Sequence, residues 1–309
     1  MTDPNIVFGS ALCIIAIGYA LKSAGFIQEH DGKSISKFLM HTTFPALVFS
    51  TMIRVNITWD LIYLPLIAML FGMLLSFSAF HLFKQVEPEN RGVMTIGSAG
   101  FNLGIFAYPL IERIFGIQGL TYAIMFDLGN SVVNFFVNYG MGNYFSKGPK
   151  NENLAAHIIV KRVISLPPLQ AMVLGVLVNV IGIKFPTFAL DLISTIASGN
   201  KSIVLLLMGI YFSVRLSKKS YFRVFQVLSM RYSMGFLVGG LCFYLLPFDL
   251  GFRNLLLLCL ILPVGMTVIT YSDELNLNTP LAASLVNISL VISFVIMWIM
   301  VSVFHMSVI

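Results

Sequence analysis

The chain has 309 residues, of which 58% are hydrophobic and only 10% charged, with a mean hydropathy of +0.90 and a formal net charge of +6. A soluble domain carries roughly 25% charged residues, so this composition excludes a soluble fold of such size and leaves a polytopic α-helical membrane protein. The basic residues are dispersed among short loops and form no stripe, which argues against nucleic acid as a partner and for a topological role in a lipid bilayer.

A spanning helix needs about 20 apolar residues. Apolar segments fall near residues 5–23, 34–53, 59–83, 93–111, 118–145, 166–183, 187–213, 221–246, 252–271 and 280–305, and about ten transmembrane helices are expected. The first segment follows Met-Thr-Asp-Pro, with no basic region and no small-residue cleavage site, so it reads as a retained helix. In the second, Thr42, Thr43 and Ser50 are candidates for an inward face, and His41 near its cytoplasmic end reads as a capping or packing residue. Cys13, Cys242 and Cys259 sit in apolar segments without ligand spacing and read as packing residues.

Loops alternate in charge. With the loop after the first helix taken as cytoplasmic, that set of loops holds Lys22, Lys33, Lys37, Lys84, Arg91, Lys147, Lys150, Lys161, Arg162, Arg215, Lys218, Lys219 and Arg223. The opposite loops hold only Arg54, Arg113, Lys184 and Arg253. Basic residues concentrate on the cytoplasmic side, so an even number of passes and both termini outside the cytoplasm are expected, in the cell membrane. The longest connection, about 148–165, would be a cytoplasmic linker between a first five-helix repeat at 1–147 and a second at 166–309. Five is odd, so the second repeat would enter the membrane inverted, as in many secondary transporters.

The fourth segment contains Asn102, Gly104 and Pro109, and the ninth contains Pro263 and Gly265. Each is fourth in its half. Proline removes a backbone donor and clashes with the preceding turn. Irregular backbone at membrane depth survives only where it is buried in protein or lines a wet cavity. The matched pair therefore predicts two broken, crossing helices whose half-helix N-termini offer N–H groups to an anion; a simple proline kink is the plainer reading of either alone.

Ionisable residues inside such segments are functional candidates. Asp127, Asn130, Ser131 and Asn134 share one helical face in the fifth segment. They read either as a proton- or cation-coupling site or as an interhelical hydrogen-bond cluster. Lys201, with Asn200 and Ser202, lies inside the seventh segment and would either neutralise a substrate carboxylate or pair with Asp127 or Asp191. Arg231 in the eighth reads as structural, and Asp273 and Glu274 after the ninth as solvated. No phosphate-binding Gly-rich Lys loop and no metal-spaced cluster is present, so neither a cofactor nor a metal is expected.

The stretch Asn102-Leu-Gly-Ile-Phe-Ala-Tyr-Pro109 resembles the Asn-x-Gly-x-x-x-x-Pro signature of the auxin efflux carrier family. Phe44-Pro-Ala-Leu-Val-Phe, Pro167-Pro-Leu-Gln-Ala-Met-Val-Leu-Gly and Leu281-Ala-Ala-Ser-Leu-Val-Asn-Ile-Ser are similar to further stretches of that family. The resemblance covers essentially the whole chain and is closest in character to bacterial malate or malonate permeases. It implies two inverted five-helix repeats with crossing helices 4 and 9, scaffold and transport domains similar to the bile-acid sodium symporters, elevator-type alternating access and a small organic anion as substrate. The Ser198-Gly-Asn-Lys-Ser-Ile-Val stretch departs from relatives that carry Ala and Pro there. The expected function is a secondary transporter of a carboxylate, with proton or sodium coupling; a bile-acid-symporter-like cation-coupled carrier, an anion channel and an intramembrane enzyme are the competing classes, and an enzyme is not favoured. Thr43, Asn102, Gly104, Pro109, Asn200, Lys201, Pro263 and Gly265 are the expected substrate contacts, Asp127, Asn130 and Asn134 the coupling-ion candidates, and homodimerisation is left open.

Overall fold

The computed structural model describes residues 3–146, 161, 163–212, 220–304 and 306. Most of the linker expected at 148–165, and the basic stretch 215–219, lie outside the described residues. The structure is helical, and every apolar segment read from the sequence is occupied by helix. In chain order the α-helices are α1 (Pro4–Ser23), α2 (Glu29–His41), α3 (Thr43–Met52), α4 (Tyr63–Leu82), α5 (Pro88–Ala99), α6 (Tyr108–Val132) and α7 (Tyr139–Phe145). After the gap follow α8 (Pro167–Ile181), α9 (Thr187–Tyr211), α10 (Tyr221–Leu245), α11 (Leu250–Leu260), α12 (Thr267–Glu274) and α13 (Thr279–Val303). A 3₁₀ turn (Trp59–Ile62) leads into α4, and π-turns at Leu103–Ala107 and Val133–Asn138 flank α6. Among the described residues six helical stretches are long and apolar enough to cross a membrane; Leu103–Phe145 is one of them, and α8 and α11 are shorter apolar helices.

The interruptions have local causes. Pro45 has no N–H and its ring clashes with the carbonyl four residues back, so the second segment divides at Thr42, between α2 and α3. His41 Nδ1 bonds the Lys37 carbonyl at 2.8 Å and Thr42 Oγ1 donates to the Phe38 carbonyl at 2.7 Å, which satisfies two carbonyls at the end of α2. Inside α6, Gly116 has φ 64° and ψ −158°, a conformation open to glycine, and this marks the boundary expected between the fourth and fifth segments. Side-chain caps begin α1, α11 and α13: Asp3, Asp249 and Asn278 accept from the N–H groups of Asn5, Phe252 and Leu281 at 2.8, 2.9 and 3.0 Å.

The described residues fall into two compact units that do not follow chain order. The first takes in Met1–Thr58, Gly104–Ile124 and Lys161–Phe212; the second takes in Trp59–Leu103, Met125–Val160 and Ser213–Ile309. In the first unit α1 and α9 approach until their backbones touch. A Cβ on Gly18 would collide with the Leu206 carbonyl oxygen, and one on Gly209 with that of Ile15. Small residues that let backbones meet are the usual adhesive between membrane helices, where lipid removes the hydrophobic drive to associate. α8 packs on α3 through Gly175, whose Cβ would lie 2.7 Å from Met52 Cβ. Beside it Asn179 Nδ2 donates to the Met52 and Val55 carbonyls at 2.8 and 2.7 Å, satisfying the frayed end of α3. In the second unit α4 crosses the end of α6 at Gly72 and Gly129, which sit against Val133 and the Pro65 carbonyl.

Replacing Gly18 or Gly209 by Leu is expected to cost about 1–3 kcal/mol through overpacking. Gly9→Leu, whose Cβ meets nothing within 4 Å, should stay within about 0.5 kcal/mol of wild type. Thermal unfolding of the detergent-purified variants checks both.

Candidate functional site

Two helices of the second unit break at one place. α5 ends at Ala99, and Gly100 is extended (φ −89°, ψ 144°); α11 ends at Leu260, and the chain resumes helix at Thr267. Between them Phe101 and Val264 form an isolated antiparallel bridge. Asn102 N–H donates to the Pro263 carbonyl at 3.0 Å and Gly265 N–H to the Gly100 carbonyl at 3.3 Å. Of the residues expected to break both segments, Asn102, Pro263 and Gly265 lie in these two extended stretches, which meet as a minimal sheet, while Gly104 and Pro109 lie beyond them in the π-turn and the first turn of α6. A Cβ on Gly100 would lie 2.5 Å from Asn134 Oδ1, so only glycine fits this approach.

The outward-facing groups of the bridge need other partners, since an unsatisfied amide or carbonyl in hydrocarbon costs several kcal/mol. Asn130 supplies one edge: its Oδ1 accepts from Phe101 N–H at 3.0 Å and its Nδ2 donates to the Phe101 carbonyl at 3.1 Å, as a neighbouring strand would. Ser289 Oγ accepts from Val264 N–H at 3.0 Å, and Ser293 Oγ donates to the Ile261 carbonyl at 2.8 Å. Tyr232 Oη in turn donates to the Ser289 carbonyl at 3.1 Å and meets Ser293 Oγ at 2.8 Å.

Arg231 satisfies the carbonyls at the C-terminal ends of both half-helices. The residue is fully buried. Its guanidinium donates to Ser98 O at 2.5 Å, to Leu262 O at 2.9 and 3.3 Å, and to Pro263 O at 3.3 Å, and lies 4.2 Å from the centre of the Phe101 ring. Among the described residues no carboxylate pairs with it. Its charge is met by carbonyl dipoles, which point their negative ends out of a helix C-terminus. Among the described residues no side chain caps the N-terminal end at Thr267, where the Val268 and Ile269 N–H groups turn back on the Gly265 and Met266 carbonyls at 3.2 and 3.0 Å. Asn102, just before the other half-helix begins at Leu103, is 5% exposed, and its Nδ2 has no partner among the described residues. Negative helix ends are thus neutralised, while an amide donor remains.

The expected face of the fifth segment is a ladder. Asn130 Nδ2 also donates to Asp127 Oδ1 at 2.8 Å, Asn134 Nδ2 to Asn130 Oδ1 at 3.2 Å and Asn138 Nδ2 to Asn134 Oδ1 at 3.0 Å. Thr267 Oγ1 reaches Asn134 Oδ1 at 3.4 Å. Asn138, one further i+4 step along the same face, extends the row through the π-turn at Val133–Asn138, and Ser131 has no place in the described contacts.

The other expected residues lie in the first unit. Thr43 Oγ1 donates to Asn200 Oδ1 at 3.0 Å, both buried. Gly104 carries the Phe44 ring against its Cα, and that ring stacks on Tyr108 with centroids 5.2 Å apart; Pro109 follows, buried, in the first turn of α6. Lys201 Nζ pairs with Glu112 Oε1 at 2.7 Å. The partner is therefore Glu112, not the Asp127 or Asp191 that the sequence suggested. With the fourth segment drawn to end at 111, Glu112 reads as a loop residue, whereas helix continues to Gly116. Arg231 was visible in the sequence without its task, and the Ser289–Ser293 pair, one turn apart on α13, was the available signal for its neighbours.

A family model described as membrane transport protein matches residues 10–301. An uncharacterized transporter of Methanothermobacter thermautotrophicus is 26% identical over 292 residues, 93% of either chain. An uncharacterized transporter of Methanocaldococcus jannaschii is 24% identical over 222 residues, 68% of this chain and 70% of that one.

Arg231→Met leaves the Ser98, Leu262 and Pro263 carbonyls without their donor, at about 1–3 kcal/mol for each group left unsatisfied. Its thermal midpoint is expected to fall further than that of Arg223→Met, whose guanidinium makes an exposed contact with Glu87 at 3.2 Å worth about 1 kcal/mol or less. Equal midpoints in a detergent melt would contradict the bridging role.

Proposed function

The chain belongs to the membrane transport protein family, that of the auxin efflux carriers, and on that premise we propose that it is a secondary carrier of small organic anions. It is a multi-pass helical membrane transporter. The observation that carries the substrate reading is the crossing: the Asn102 amide nitrogen, buried beside the two half-helix N-termini, has no partner among the described residues, while Arg231 occupies the opposing carbonyls. A carboxylate bound to such donors makes charge-assisted hydrogen bonds without needing a full counter-ion.

In this reading the chain makes ten passes as two inverted fives, 1–147 and 166–309, joined by a cytoplasmic linker at 148–165. Both termini lie outside the cytoplasm in the cell membrane, and substrate gains access to alternate sides by an elevator-type movement. Asn102, Pro263 and Gly265 form the anion site at the crossing, with Gly104 and Pro109 continuing the first half-helix away from it. Thr43, Asn200 and Lys201 are substrate contacts of the first unit. Asp127, Asn130 and Asn134 seat the coupling ion, sodium or a proton; occupancy there is felt at Phe101 through the Asn130 side chain. The positions of the two breaks, each fourth in its half, support the inverted repeat, and the charge asymmetry of the loops supports the orientation.

Malonate, malate and an indole carboxylate, tested by counterflow in proteoliposomes, check the class of substrate: a carrier exchanges labelled substrate faster when the far side is loaded. Asn102→Ala is expected to lower that exchange by roughly 10- to 100-fold, the scale of one lost charge-assisted hydrogen bond, and Pro109→Ala to lower it through the altered backbone of the half-helix, while both variants still reach the membrane. Wild-type exchange in both would overturn the crossing as the site.

A further inference from the structure

The first unit holds an ion pair between two stretches long and apolar enough to cross a membrane, Leu103–Phe145 and Thr187–Tyr211, and its geometry is only half complete. Glu112 Oε1 meets Lys201 Nζ at 2.7 Å, with side-chain exposures of 16% and 36%. The second carboxylate oxygen, Oε2, is buried and has no partner among the described residues. Asn200, next to Lys201 and fully buried, likewise has an unpartnered Nδ2. A structural ion pair in hydrocarbon gains most when its remaining lone pairs are satisfied; this one keeps an acceptor vacant.

Few other charges bear on it. On its own helix the other titratable residues are Tyr108, Arg113, Tyr122 and Asp127; Arg113 donates to Ser10 Oγ at 2.7 Å, and Asp127 accepts from Asn130 Nδ2 at 2.8 Å. α1 carries Cys13, Tyr19 and Lys22, the last bound to the Phe212 carbonyl at 2.8 Å. α3 has no titratable residue, and α9 has Asp191, Lys201 and Tyr211. α2 packs Ile35 and Leu39 with Ile105, while its Lys33, Lys37 and His41 are exposed. Lys201 is thus the cation paired with Glu112.

We propose that Glu112 and Lys201 form a proton-coupling pair through which one proton accompanies each carboxylate, an assignment that rests on the carrier reading above. Empty, the pair is neutral. A substrate carboxylate that binds Lys201 beside an ionised Glu112 leaves a net negative charge in a medium of low dielectric, which is costly. Transfer of a proton from water to Glu112 Oε2 restores neutrality: the carboxyl is then uncharged, Lys201 remains an ammonium, and the substrate carboxylate takes the place that Glu112 held. A proton without the anion leaves Lys201 uncompensated, so each ligand raises the affinity for the other by the same factor. The loaded and empty pairs carry equal charge, and for a monocarboxylate the step is electroneutral.

Calorimetric binding of malonate and acetate to the purified full chain, repeated at falling pH and in buffers of different ionisation enthalpy, tests this. Wild type should bind about tenfold more tightly per pH unit and take up one proton per anion. Glu112→Gln, which mimics the protonated carboxyl, should bind independently of pH and take up none, whereas Asp191→Asn, at an exposed carboxylate of α9, should keep the wild-type slope. Lys201→Gln should lose roughly 10- to 100-fold in affinity, with the Glu112→Gln/Lys201→Gln double variant restoring a neutral, folded protein as a control. A pH-independent wild type, an unchanged slope in Glu112→Gln, or no binding of either probe at any pH would overturn the pair. Intact counterflow with pH-independent binding removes only the coupling; absent counterflow alongside pH-dependent binding removes the carrier reading instead.

Discussion

Two interrupted helices release amides and carbonyls that a buried apolar surround cannot satisfy, and the second unit is organised around the groups that take their place. The two extended stretches satisfy part of each other by pairing Phe101 with Val264. What remains faces outward on both edges. Asn130 closes one edge as a surrogate peptide, Ser289 and Ser293 close the other, and Arg231 holds the carbonyls of both chains at once. Remove that constraint and neither Gly100 nor the row of asparagines has a reason to be where it is.

The same arrangement sorts charge. A helix presents partial negative charge at its C-terminus and partial positive charge at its N-terminus. Arg231 sits among the C-terminal carbonyls, so the field left at the crossing is that of the N-termini and a guanidinium. Asp127 offsets part of it from the far side of Asn130. A guanidinium is suited to this position because its planar fork reaches several carbonyls and stacks on Phe101 at the same time, which an ammonium could not do. In the first unit the charges are arranged differently, with Lys201 and Glu112 compensating one another directly. One unit stabilises an isolated cation with dipoles, and the other stabilises a cation with an anion.

Much of this was legible in the chain. Segment positions follow from apolar runs of about the length a bilayer requires, and the irregularity of the fourth and ninth segments follows from their prolines and glycines. The Asp127–Asn130–Asn134 face follows from helical periodicity. The sequence did not reveal Glu112, because a single charged residue near the end of an apolar run looks like a loop until the turn at Gly116 is seen. It named Arg231 without a purpose, since a cation whose partners are backbone carbonyls leaves no complementary residue to find. Asn138, eleven positions after Asp127, falls on that same face by ordinary helical periodicity, and only the contact with Asn134 shows that it belongs to the row.

By itself the sequence determined that this is a membrane protein, where its helices run, where two of them break and which family it belongs to, because hydropathy, proline chemistry and motif order are local properties of the chain. The tertiary structure decided which residues answer the breaks: Asn130 with Phe101, Arg231 with Ser98, Leu262 and Pro263, Lys201 with Glu112 and Thr43 with Asn200. These partners lie between 29 and 157 positions apart in the chain, and hydrogen bonds of that span are set by how helices pack, which no local pattern encodes.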